Sequence, residues 1–100
     1  MKIKQGANIS GIKIEMRPVL VAAEMIWRHH GQELVVTSGL DGTHSAGSLH
    51  YYGYALDLRS NYFTGTEKAS AVNALRAALG GDYDVVSHPT HIHVEFDRRV

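Results

Sequence analysis

Two short stretches hold the side chains best suited to chemistry: Ser48-Leu49-His50-Tyr51-Tyr52-Gly53-Tyr54-Ala55-Leu56-Asp57 and His88-Pro89-Thr90-His91-Ile92-His93. They bring histidines and an aspartate together from two parts of the chain. Three such donors, with one coordination position left for water, are the ligand set of a hydrolytic zinc site. The chain contains no cysteine, so a metal must be held by His, Asp or Glu, and neither a disulfide framework nor a Cys-ligated zinc finger is open to it. Manganese and cobalt accept the same donors; ligand type puts zinc first.

The elements that must position these residues alternate along the chain without repeats or a linker. Lys2 to Ile14 is broken by glycine and reads as an irregular arm or one short strand. From Pro18 to His30 the pattern is helical: proline is tolerated at a helix start, Val19, Ala22, Ala23, Ile26 and Trp27 form a stripe, and Gly31 supplies a stop. Leu34 to Thr37 is a strand, Ser38 to Gly47 a loop, and Tyr54 to Arg59 a second strand. A helix is expected from about Glu67 to Leu79, with Thr64 and Glu67 at capping-box spacing, Ala69, Val72, Leu75 and Leu79 on one side, and Gly80-Gly81 closing it. Strands near Tyr83 to Val86 and His91 to Phe96 complete an α+β domain.

Alternation in the last strand sends Ile92, Val94 and Phe96 to the core and His91, His93, Glu95 and Asp97 to the opposite face. The same rule groups Ala55, Asp57 and Arg59 on the Tyr54 strand, where Ala55 leaves room beside the carboxylate. If the two strands are neighbours, Asp57 meets the histidine pair. His50 then reaches in from the preceding loop, its entry turn permitted by Gly53. By spacing alone His91 and His93 are equally good ligands. Glu95 and Asp97 read as a solvated continuation of the face, and His29 and His30 as cationic groups suited to a helix C-terminus.

One hundred residues with 44% hydrophobic content suit a single domain, 1–100. Ten basic and ten acidic side chains cancel without forming a block, so neither nucleic acid nor an anionic membrane is an expected partner. The N-terminus lacks the apolar stretch of a signal peptide, and no run approaches membrane-spanning length, so synthesis in the cytoplasm is expected. A monomer is the expected state.

Ser48, His50, Gly53, Ala55 and Asp57, followed by His91-Ile92-His93, form the pattern Ser-x-His-x-x-Gly-x-Ala-x-Asp … His-x-His. It resembles the zinc D-alanyl-D-alanine carboxypeptidase and L-alanyl-D-glutamate endopeptidase family of peptidoglycan hydrolases, whose fold is shared by hedgehog signalling domains. Val35-Val36-Thr37-Ser38-Gly39 is similar to the family's strand and turn ahead of the site, so the resemblance covers roughly Leu34 to Phe96. It implies a mainly antiparallel sheet with two packing helices, and one zinc ion on His50, Asp57 and His93. It also implies His91 as transition-state support and His88, five residues before the last ligand, as general acid/base.

The implied activity is hydrolysis of a stem-peptide bond in bacterial peptidoglycan, in the manner of a compact phage lysis enzyme that reaches the wall after release across the membrane. A non-catalytic zinc-containing binding module of the same fold is the alternative, and the presence of His88 with His91 favours the enzyme. The chain departs from the family after the Ser-Gly pair, continuing Leu40-Asp41-Gly42-Thr43-His44 where members often carry a carboxylate-binding Arg. Arg59 or His44 is expected to take that role, with Ser48 also at the substrate, or else the substrate lacks a free carboxylate there, as for an endopeptidase.

Overall fold

The computed structural model describes residues 1–41 and 52–97. Five strands and two helices follow the expected order: β1 (Lys2–Ile3), a 3-10 turn (Ile14–Met16), α1 (Arg17–His29), β2 (Val35–Ser38), β3 (Ala55–Arg59), α2 (Gly65–Leu79), β4 (Tyr83–Ser87) and β5 (His91–Phe96). They build a small α+β fold around one mixed sheet of order β1-β2-β3-β5-β4. Among the described residues, only the β1 to β2 pairing is parallel.

Each helix forms where local chemistry favours it. Pro18 occupies the first turn of α1, where its missing N–H costs nothing, and Gly31 follows the helix end with a φ of 74°. At α2 the capping box is complete: Thr64 Oγ1 accepts from Glu67 N–H at 3.1 Å, and Glu67 Oε1 accepts from Thr64 N–H at 2.9 Å. Gly80, at φ 82°, ends it.

The helices pack on each other and cover one face of the sheet. Val19, Ala23 and Trp27 from α1 and Ala71, Val72 and Leu75 from α2 meet Val36, Leu56, Leu58, Val85, Ile92 and Val94. Trp27, fully buried, donates its indole N–H to Arg59 O at 3.0 Å and sets its ring 5.2 Å from Phe63. One expected core position is corrected. Ala69 is exposed and Ala71 is buried instead, because in an alanine-rich helix the apolar stripe has several possible phases and the tertiary contact selects one.

The N-terminal arm is more ordered than its sequence suggests. Lys2 and Lys4 donate backbone hydrogen bonds to Leu34 and Val36, and Lys13 N–H donates to Gly53 O at 2.9 Å. Gly53 has a φ of 80°, and a Cβ there would lie 2.5 Å from Gly11 O, so glycine is required by conformation and by space. The described residues contain no helix long and apolar enough to cross a membrane.

Candidate active site

The face of the sheet turned away from the helices carries the candidate site residues that the structure describes. β3 and β5 pair antiparallel with Asp57 opposite His93 and Arg59 opposite His91, so the condition that the two strands be neighbours is met. Val36 and Ser38 pair with Leu58 and Asp57, an irregular register that leaves Thr37 as an additional residue in β2. Bulges of this kind re-aim strands beside functional sites. Thr37 Oγ1 donates to the Asp57 carbonyl at 3.3 Å.

Asp57 and His93 are in direct contact, Oδ1 to Nδ1 at 2.9 Å, with side chains 13% and 17% exposed. His91 Nε2 stands farther from the same oxygen, at 3.9 Å. His93 Nε2 contacts Glu95 Oε1 at 2.7 Å. The hydrogen bond to Asp57 lifts the His93 pKa above the ordinary imidazole value against the opposing effect of burial, with Glu95 adding to the rise. His91 moves the other way. Burial lowers its pKa, Asp57 opposes, and the neighbouring His88, His93 and Lys68 lower it further.

His88 arrives through the turn between β4 and β5. Its N–H donates to His91 O at 2.8 Å across Pro89-Thr90, which makes the two residues neighbours at the base of a tight hairpin. Their rings stack, centroids 4.7 Å apart and planes 21° from parallel, and the His88 ring meets His93 edge-on at 6.3 Å. Lys68, on α2, donates its ammonium to the His88 carbonyl and ties the hairpin to the helix. Thus His88, His91, His93, Asp57 and Arg59 are brought to one region. Among the described residues, no carboxylate forms an ion pair with Arg59. His44, Ser48 and His50 lie outside the described residues.

A carboxylate oxygen and an imidazole nitrogen converge from adjacent strands, two donors of types that zinc accepts, while His50, the third expected ligand, is outside the described residues. Among the described residues Asp84, Glu95 and Asp97 also gather, with carboxylate oxygens within 4.8 Å of one another. An all-oxygen set lacks the nitrogen donors zinc favours. An apolar groove between α1 and α2, lined by Val21, Ala22, Met25 and Leu79, lies on the helix side and contains none of the site residues.

Glu95, expected from the sequence to be a solvated continuation of this face, instead faces the His93 ring. Its signal is the i, i+2 spacing from His93 on one strand, which guarantees a common face but does not reveal a hydrogen bond. No model of a known protein family matches the chain, and no curated protein matches it.

Proposed function

We propose that this protein is a zinc metallopeptidase that hydrolyses peptide bonds in the stem peptides of bacterial peptidoglycan. The observation that carries the reading is the β3 to β5 register, which sets Asp57 against His93 while the hairpin stacks His88 on His91 beside them. Asp57 and His93, 36 positions apart in sequence, thereby meet in one cluster of the residue types that resemble the family's site.

His50, Asp57 and His93 are the ligands in this reading, and His93 is preferred to His91 because it is the histidine in contact with Asp57. Zinc held there would acidify a water molecule and polarise the scissile carbonyl. His88, exposed at the hairpin, takes the proton from the attacking water and returns it to the leaving amine nitrogen as the carbon–nitrogen bond breaks. His91 donates an N–H to the carbonyl oxygen as negative charge develops on it. Burial keeps that ring neutral to lower pH than ordinary imidazole. Arg59, across from His91, offers a planar donor pair for a substrate carboxylate. The protein would meet its substrate after release across the membrane.

Purified peptidoglycan, digested with and without a chelator and followed by mass analysis of the fragments, tests the proposal. Stem-peptide fragments that disappear with the chelator are expected, and their masses identify the bond. Zinc uptake without any chelator-sensitive product would instead mark a binding module.

A further inference from the structure

The two nitrogens of the His93 ring face different carboxylates, Nδ1 toward Asp57 Oδ1 at 2.9 Å and Nε2 toward Glu95 Oε1 at 2.7 Å. We propose that Glu95 is a positioning residue, which accepts the Nε2–H of His93 and so presents Nδ1 beside Asp57 as the ligand atom. The inference rests on the zinc reading above and adds to it the residue that orients the ligand.

An imidazole that gives one nitrogen to a metal carries its proton on the other, and that N–H needs an acceptor. A carboxylate in this place fixes the tautomer and the ring plane and raises the basicity of the ligating nitrogen. Glu95 is built to do so. It follows His93 by two residues on β5, which puts both side chains on one face, and it is paired across the sheet with Ala55 on one side and Asp84 on the other. Ala55 is fully buried and has only a methyl group, so it offers Glu95 no competing polar partner. The carboxylates of Asp84 and Asp97 lie nearby, with oxygens within 4.8 Å of that of Glu95, and form one cluster with it.

The test measures zinc dissociation constants by competition with a chromophoric chelator for wild type, Glu95→Gln, Glu95→Ala and Asp97→Asn. It also records 15N shifts of the His93 ring in the zinc-loaded protein. Glu95→Ala is expected to bind zinc about 10- to 100-fold more weakly, the usual loss for such a partner, with Glu95→Gln intermediate because its amide oxygen still accepts. Asp97→Asn, which removes one charge of the same cluster, is expected to stay within about threefold of wild type. The ring should show a protonated Nε2 and a metallated Nδ1. Wild-type affinity in Glu95→Ala, an equal loss in Asp97→Asn, or metal on Nε2 would each overturn the proposal. If Glu95→Ala does not fold, Glu95→Gln against Asp97→Asn decides by the same criterion, and equal affinities reject it. Zinc binding by a wild type that leaves peptidoglycan intact rejects the peptidase and spares Glu95. A wild type that takes up no zinc rejects both.

Discussion

The imidazole of His88 lies flat on that of His91, their centroids 4.7 Å apart, because a two-residue turn makes the residues partners at the end of a hairpin. The stack holds an exposed side chain over the polar face without needing a hydrogen bond to its ring.

Replacing His88 by Ala should therefore leave fold and zinc content unchanged and lower the rate of peptidoglycan hydrolysis at least ~100-fold, the scale of a lost general base. Initial rates at saturating metal, with circular dichroism as the control, measure this. Turnover like the wild type would remove His88 from the proton path.

Ligand assignment makes a separate prediction. His50→Ala, Asp57→Ala and His93→Ala should each lose stoichiometric zinc in elemental analysis of the purified protein, whereas His91→Ala should keep it. Loss in His91→Ala with retention in His93→Ala would exchange the roles of the two histidines. The difference between 2.9 Å and 3.9 Å from Asp57 argues against that exchange.

The alternation that defines this face was legible in the sequence, since each strand declares its two sides. Adjacency of β3 and β5 was only a condition there, because pairing depends on core packing between distant segments. The helix limits were legible for a local reason: Thr64, Gly31 and Gly80 act on the chain beside them. By contrast, the arm before α1 is held by backbone hydrogen bonds to β2 and to Gly53, and such bonds leave little trace in residue type. Glu95 was misread on similar grounds, since a carboxylate looks the same whether water or an imidazole faces it.

Asp41 pins that arm. Its Oδ1 accepts from Asn8 N–H at 2.7 Å and Gly39 N–H at 2.8 Å. Burial alone would raise its pKa, but these hydrogen bonds outweigh burial and hold it below the ordinary aspartate value. A carboxylate depressed on folding stabilises the protein fully above its unfolded pKa, near 3.9, and loses that contribution as pH falls through the folded value. Asp41→Asn should cost about 1 kcal/mol or less at pH 7, given its partial exposure. In denaturant titrations at falling pH the gap from wild type should close below about pH 4. A gap independent of pH would mean that charge plays no part.

Leu58 lies beside Asp57 in sequence and on the opposite side of the sheet, fully buried and paired with Ile92. Truncation to Ala should destabilise the fold by about 2 to 5 kcal/mol through lost contacts and a residual void. Urea unfolding monitored by Trp27 fluorescence reads this directly, and a cost under about 1 kcal/mol would indicate that the helices can settle onto the sheet.

The β3 to β5 ladder has one further consequence, for how this sequence tolerates insertions and deletions. Its five successive pairs alternate between core and site, with Leu56 on Val94 and Leu58 on Ile92 interleaved with Asp57 on His93 and Arg59 on His91. Adding or deleting one residue within either strand would turn the leucines to solvent and the ionisable side chains inward. Length variation in homologues should therefore gather outside these strands, since a frame error in either would remove the hydrophobic interior and the candidate site together.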